Sequence, residues 1–158
     1  MCPHSYLAGY KYGKAFATHF GPSHGTGMVR VMEVGNEPWY YDDQLYSEVL
    51  LGMARGAKEG DPQMKVLPGS LQSLAQYRAS VNATHLQYLD GVQLHAYSWA
   101  GTAAGRTGTH PEDPSSSFGE VLEQLRFWRS ALGEGMPMYV FAPPCCPQQR
   151  VLARFVQA

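Results

Sequence analysis

The sequence predicts an α/β protein with parallel strands, because segments with strand character alternate with segments of helical character. Its 158 residues are enough for one domain with a core. The predicted strands are residues 27–34, 64–69, 90–99 and 138–142. The predicted helices are residues 8–20, 43–60, 71–89 and 116–132, with a short helical pattern at the end of the chain. Four such strands fit either a small parallel sheet or half of a (β/α)8 barrel, which typically needs about 250 residues.

The first half of this pattern rests on apolar spacing and on residues that end helices. Residues 8–20 have apolar side chains at helical spacing, and Gly21-Pro22 ends the segment. Residues 27–34 are rich in β-branched side chains, as strands are. Residues 43–60 form an amphipathic pattern that Asp61-Pro62 ends, and its apolar stripe is Leu45, Val49, Met53 and Ala57.

The second half follows the same alternation. Residues 64–69 are a short strand, and Asn82 is a candidate interruption of the helix that follows. The strand at 90–99 leads into a long Gly-rich loop, and residues 116–132 have the clearest helical pattern. Gly133 to Pro137 form a turn before the strand MYVFA.

Composition excludes several functional classes. The net charge is −1 and the basic residues are scattered, so the sequence gives no electrostatic indication of nucleic-acid binding. No apolar run approaches the roughly 20 residues that span a bilayer, and the N-terminal residues lack the apolar stretch of a signal peptide. Three cysteines form no disulfide framework, and six scattered histidines suggest no metal site. We expect no cofactor, and the sequence does not indicate the oligomeric state.

Glu37 is the first candidate catalytic residue. Asn36 and Glu37 follow the strand at 27–34, and catalytic side chains in parallel α/β folds gather where strands end. A carboxyl group beside an amide and Trp39 suits a general acid that protonates a leaving oxygen. An ordinary surface turn is the alternative, since Asn, Glu and Pro are common turn residues.

A second group of candidates follows the strand at 90–99. His95 and Tyr97 are two residues apart, so both side chains point to one face of the strand. Four aromatic residues follow two different strand ends and offer flat apolar surfaces that suit a sugar ring: Trp39, Tyr40, Tyr41 and Trp99. A structural histidine and ordinary core aromatics are the alternatives.

Together these segments resemble clan-A glycoside hydrolases, the retaining glycosidases with a (β/α)8 barrel and an Asn-Glu-Pro acid/base sequence. The resemblance rests, in order and spacing, on the segments VMEVGNEPW, DPQMKVLPGSLQS, LDGVQLHAYSW and MPMYV. It covers most of residues 8–140 and corresponds to the fourth through seventh barrel strands. It therefore implies a partial (β/α)8 barrel of about four parallel strands with intervening helices.

The resemblance also implies roles for individual residues. Glu37 would be the acid/base, and Asn36 would hydrogen-bond the 2-hydroxyl of the substrate. His95 and Tyr97 would line the site near the nucleophile, and the ligand would be a carbohydrate. Proteins of this family are often secreted or lysosomal, but this sequence shows no targeting signal of its own.

One expected carboxylate is absent. Retaining glycosidases use two carboxyl groups about 5–5.5 Å apart. The family places its nucleophile, a Glu preceded by Thr, at the end of the seventh strand, where this chain has Phe141-Ala142. Glu33 lies four strand residues before Glu37, roughly 13 Å away at about 3.3 Å per residue. Glu112 lies in the long loop, and we expect Asp42 and Asp43 to begin the following helix.

We therefore expect residues 1–142 to be part of a glycosidase barrel domain and residues 143–158 to be a divergent tail rich in Pro and Cys. The resemblance predicts a retaining O-glycosyl hydrolase whose chemistry is disabled here by the missing nucleophile. The alternative is a non-catalytic carbohydrate-binding pseudoenzyme. Whether the chain is an active enzyme stays open at this point.

Overall fold

A computed structural model of the chain shows an α/β protein of mixed helices and short strands. The description that follows covers residues 4–71, 73–95, 99–100, 107–108, 117–133, 135, 137–142 and 151–155. The chain forms two compact units, Met1–Val92 and Gln93–Ala158, and each is described by itself. The predicted boundary after residue 142 stays a prediction.

The first unit contains these helices: α1 (Ser5–Phe20), α2 (Asp43–Gly60), α3 (Leu74–Ser80) and α4 (Ala83–Leu86). Its paired strands are β1 (Val31–Val34) and β2 (Lys65–Pro68). The two strands are parallel, with Val31 opposite Lys65 and Val34 opposite Pro68, and α2 connects them. This β1–α2–β2 crossover is the arrangement that the alternating sequence pattern predicts.

Helices α1 and α2 pack with their backbones in close approach. A Cβ atom on Gly13 would lie 2.3 Å from the carbonyl oxygen of Met53, and one on Gly56 would lie 2.1 Å from that of Tyr10. Any larger residue would therefore separate the two helices. Glycine lowers helix propensity by about 1 kcal/mol, so its presence in both helices is explained by this close packing.

The face of α2 that packs into the core overlaps the predicted stripe only at Ala57, which is buried. Tyr46, Leu50 and Ala54 are buried, whereas Val49 and Met53 are only half-buried and face the glycines of α1. Two neighbouring stripes of α2 are therefore covered. Val49 and Met53 pack against α1, and the stripe that begins at Tyr46 packs against β1 and β2. The sequence pattern underestimates the second stripe because Tyr46 contains a polar hydroxyl.

Asp61 fixes the segment that links α1 to β1. Its carboxylate accepts hydrogen bonds from the Ser23 backbone N–H (2.7 Å) and hydroxyl (2.6 Å), and from the backbone N–H groups of His24 and Gln63. Burial by itself would raise the pKa of Asp61, but these hydrogen bonds outweigh it and hold the pKa well below the usual range.

The predicted helix at 71–89 is divided, and Asn82 interrupts it. Its side chain caps α4 by accepting a hydrogen bond from the Thr84 N–H at 2.9 Å. Asn is a favoured N-cap because its side chain satisfies a backbone donor that the helix leaves open.

The second unit contains α5 (Ser117–Leu132) and the strands β3 (Val92–His95), β4 (Trp99–Ala100), β5 (Thr107–Gly108), β6 (Met138–Ala142) and β7 (Val151–Phe155). Strand β3 begins at the last residue of the first unit. The sheet order is β3-β6-β7, and β4 pairs with β5.

Two expectations differ from this arrangement. The end of the chain is predicted to be helical, but residues 151–155 form β7, antiparallel to β6 with Met138 opposite Phe155. The five residues of this segment are too few for a helical period to show, and β6 offers an edge to pair with. The second difference is that the described strands form separate sheets, of which β1–β2 is parallel, rather than one parallel sheet.

Candidate functional site

The carboxyl ends of β1 and β2 are held together by two buried tyrosine hydroxyls. The hydroxyl of Tyr46 donates to the carbonyl oxygen of Val34 (2.9 Å) and accepts from the N–H of Gly69 (2.8 Å). The hydroxyl of Tyr77 accepts from the N–H of Leu71 at 3.0 Å. These hydroxyls reinforce a direct backbone bond at the point where the strands end, in which the Gly69 N–H donates to the Val34 carbonyl oxygen at 3.0 Å.

Glu33 contributes charge to this region. It lies on β1 opposite Leu67, and its side chain is half-buried. Burial raises the pKa of both Tyr46 and Tyr77, and the negative charge of Glu33 adds to the increase. Both tyrosines therefore stay protonated over the working pH range and can donate as well as accept hydrogen bonds.

The turn after β1 contains Asn36, Glu37 and Trp39. Glu37 has φ 48°, and it is the one residue other than glycine with a positive φ in the part of the chain described above. Its carbonyl oxygen accepts from the N–H of Trp39 at 2.7 Å, which closes a tight turn around the buried Pro38. A residue with a side chain in this conformation costs about 1–3 kcal/mol and persists only where its surroundings enforce it.

Trp39 fixes this turn to the neighbouring elements. Its indole Nε1–H donates to the carbonyl oxygen of Ser70 (2.9 Å), and its own carbonyl oxygen accepts from the Gln76 side chain (3.2 Å). The turn after β1 is thereby bonded to the segment after β2 and to α3. Glu37 is half-buried and Asn36 is exposed, so the two candidate polar side chains stand at the surface end of a rigid turn.

Two tyrosines and a helix cap follow directly. Tyr40 is 96% exposed and Tyr41 is 57% exposed. The carboxylate of Asp42 accepts from the N–H of Leu45 at 3.0 Å and caps α2, which begins at Asp43. The prediction that Asp42 and Asp43 begin this helix is confirmed, and both acids have a structural role there.

The candidates from the second unit are only partly described. His95 ends β3 and is half-buried, and its Nε2 lies 2.9 Å from the side-chain nitrogen of Gln93. Tyr97 and Glu112 lie outside the described residues. Trp99 is in β4, where it pairs with Gly108. Phe141 and Ala142 are the last residues of β6, opposite Leu152 and Val151.

Asn36, Glu37 and Trp39 thus lie together in one turn of the first unit. His95 lies in the second unit. Tyr46, Tyr77 and Ser70 support this turn but were missed by sequence reasoning. The only signal for Tyr46 is its place four residues before Leu50 on α2.

A second polar cluster lies in the first unit, between α2 and α4. The Ser47 hydroxyl is 3.2 Å from Nε2 of His85, and Nδ1 of His85 is 3.0 Å from Oδ1 of Asn82. The cluster lines a cavity of about 430 Å³. The same Nε2 lies 2.9 Å from the carbonyl oxygen of Ser47, which can only accept, so this nitrogen carries a proton. It cannot take a proton from the Ser47 hydroxyl, and the cluster is therefore structural.

Among the residues that the structure describes, no three side chains of His, Cys, Asp or Glu come together as metal ligands. None of the helices described above is long and apolar enough to cross a membrane.

Comparison with solved structures shows the fold. The chain is similar to the crystal structure of a monomeric beta-xylosidase from Caulobacter crescentus CB15, with a TM-score of 0.61 and 23% sequence identity. The match covers 90% of this chain and 32% of the xylosidase, so the chain spans about a third of that enzyme's length. No protein-family model matches the chain, and no curated protein sequence matches it significantly. The chain therefore shares its α/β fold with one part of a glycosidase.

Proposed function

We propose that this chain carries the acid/base half of a retaining glycosidase site and corresponds to the fourth through seventh strands of a (β/α)8 barrel. The observation that carries the proposal is the backbone of Glu37. A left-handed glutamate at the end of a parallel strand is costly. Its turn is held in place because Trp39 donates to the Ser70 carbonyl oxygen and accepts from the Gln76 side chain. Such enforced strain is concentrated at functional sites.

The likeness to a beta-xylosidase supports a β-glycoside as the substrate class, with β-xylosides as the first to test. In the proposed chemistry, the Glu37 carboxyl group gives its proton to the glycosidic oxygen as the bond from that oxygen to C1 breaks. The bonding electron pair moves to the oxygen, so the proton prevents an alkoxide from leaving. Asn36 would hydrogen-bond the 2-hydroxyl of the sugar.

The second half of the reaction needs a nucleophile at C1. A retaining site places this carboxylate about 5–5.5 Å from the acid/base. Phe141-Ala142 occupy the end of β6, where the resemblance places a Thr-Glu pair. We propose that no covalent glycosyl intermediate forms on this chain and that it is inactive by itself. The alternative is a carbohydrate-binding pseudoenzyme. It would also lack the nucleophilic carboxylate, but its function would be to bind the sugar without cleaving it.

Hydrolysis of a panel of aryl β-glycosides tests the proposal. Wild type is compared with Glu37→Gln and with Glu123→Gln, an exposed acid on α5 that serves as the matched control. We expect no turnover by any variant, and saturable binding of β-xyloside that Glu37→Gln weakens and Glu123→Gln leaves unchanged. Turnover that Glu37→Gln abolishes would show that a second carboxylate operates, with Glu112 the first to substitute. Absence of binding would contradict the proposal.

A further inference from the structure

The turn that carries Glu37 also presents two aromatic side chains to solvent. Tyr40 is 96% exposed and Tyr41 is 57% exposed, although each has an apolar ring that folding would ordinarily cover. Single exposed apolar residues are normal on protein surfaces, but two adjacent aromatic residues beside a candidate site are a different feature.

These tyrosines are held on a fixed support. The N–H of Tyr41 donates to the carbonyl oxygen of Pro38 at 3.3 Å, and Pro38 is buried. On one side the Trp39 indole is bonded to Ser70, and on the other Asp42 caps α2. The backbone between these anchors is ordered before any ligand arrives, so binding there costs little additional conformational entropy.

Their position relative to Glu37 determines what they can touch. Tyr40 is three residues after Glu37, so their Cα atoms are at most about 11 Å apart. A general acid contacts the oxygen of the leaving group, and the leaving group extends away from the sugar that is bound at C1. The two tyrosines are therefore within reach of the group beyond the cleaved bond.

Tyrosine suits one class of leaving group. Its ring packs against the C–H face of a pyranose, and its hydroxyl bonds the sugar hydroxyls at the edge of that ring. A methyl or other small alcohol offers too little surface for such contacts.

We propose that Tyr40 and Tyr41 form a leaving-group platform that selects glycosides whose leaving group is a second pyranose ring. This inference rests on the proposed function, because it assigns the specificity of the same site. It predicts that the chain binds a β-linked disaccharide more tightly than the methyl glycoside of the same sugar.

The test is an NMR titration of the full chain with methyl β-xyloside and with xylobiose, repeated with the corresponding pair of glucosides. The variants are Tyr40→Ala/Tyr41→Ala and, as matched control, Tyr12→Ala, which removes a tyrosine that is 60% exposed on α1. We expect the double variant to weaken disaccharide binding by about tenfold and methyl glycoside binding by less than about twofold, as loss of aromatic contacts implies. Tyr12→Ala should change neither affinity.

Two results overturn the platform in different ways. Equal affinities of wild type and double variant for the disaccharide, with binding intact, would remove the platform and leave the proposed function standing. Failure of wild type to bind any of the four glycosides would overturn the proposed function and the platform together. An equal loss for both ligands would assign the tyrosines to the turn itself, which also contradicts the platform.

Discussion

Gly69 approaches Gly35 so closely that a Cβ atom on Gly69 would lie 2.1 Å from the carbonyl oxygen of Gly35. This contact joins the ends of β1 and β2 directly beneath the turn of Glu37. The spacing leaves no room for any side chain at position 69.

Gly69→Ala should therefore destabilise the first unit. Overpacking of this kind costs about 1–3 kcal/mol, because the two strand ends must move apart. Gly27→Ala is the control, since Gly27 has φ 73° with open space around it and loses only about 1 kcal/mol to backbone strain. Urea unfolding measures both changes. Equal losses in the two variants would contradict the close contact.

Tyr46→Phe should also lower the free energy of unfolding. The variant keeps the ring but removes the hydroxyl that bonds both the Val34 carbonyl and the Gly69 N–H, which then keep only their direct hydrogen bond at 3.0 Å. Because both backbone groups retain a partner, the expected loss is that of the hydroxyl's own hydrogen bonds, about 1 kcal/mol. Tyr12→Phe, at an exposed position, should change the unfolding midpoint little. A midpoint for Tyr46→Phe equal to that of wild type would rule out the bridge.

Asp61 makes the free energy of unfolding depend on pH in the acidic range. Its pKa is lower in the folded protein than its ordinary 3.8, so the unfolded chain binds the proton more readily. Its contribution to stability is complete above the unfolded pKa and is lost as the pH falls further below it. Asp61→Asn should flatten the pH dependence of the unfolding midpoint below about pH 5. Parallel curves for wild type and Asp61→Asn would contradict this assignment.

His85 makes the free energy of unfolding depend on pH in a higher range than Asp61 does. Burial lowers its pKa from the ordinary 6.5, although the bond to the Ser47 carbonyl opposes the shift. The unfolded chain again binds the proton more readily, so stability is complete above pH 6.5 and falls as the pH drops through the folded pKa. His85→Gln should remove this part of the slope between about pH 7 and 5, in thermal melts at fixed ionic strength. A slope in His85→Gln equal to that of wild type would be inconsistent with a specific role for His85.

The sequence predicts the helices and strands of the first unit well, because their apolar spacing is regular. Residues 43–60 are helical as predicted, and β1 is shorter than predicted, beginning at Val31 rather than at residue 27. The sequence predicts a helix where Val151–Phe155 form a strand, because five residues are too few to separate the two periods and only the edge of β6 decides between them. Long-range pairing of this kind is not encoded in local spacing.

The candidate site is predictable only in part. Glu37 stands out because it follows a strand, but its strained turn is held by the bonds that Trp39 makes to the Ser70 carbonyl and from the Gln76 side chain, about 30 to 40 residues away in sequence. In the sequence, Tyr46 and Tyr77 are ordinary helix residues. Their role follows only from the structure, which places their hydroxyls at the strand ends. The assignment of Glu37 as acid/base stays a prediction.

The most direct test of the central claim supplies azide in place of the nucleophile that we propose is absent. With phenyl β-xyloside, a substrate whose poor leaving group needs protonation, azide would attack C1 while Glu37 protonates the departing oxygen, releasing phenol and the inverted glycosyl azide. We predict azide-dependent phenol release by wild type and by Glu123→Gln, and none by Glu37→Gln. Azide-independent release that Glu37→Gln abolishes would show a complete two-carboxylate site. Absence of release under all conditions would contradict the acid/base role of Glu37.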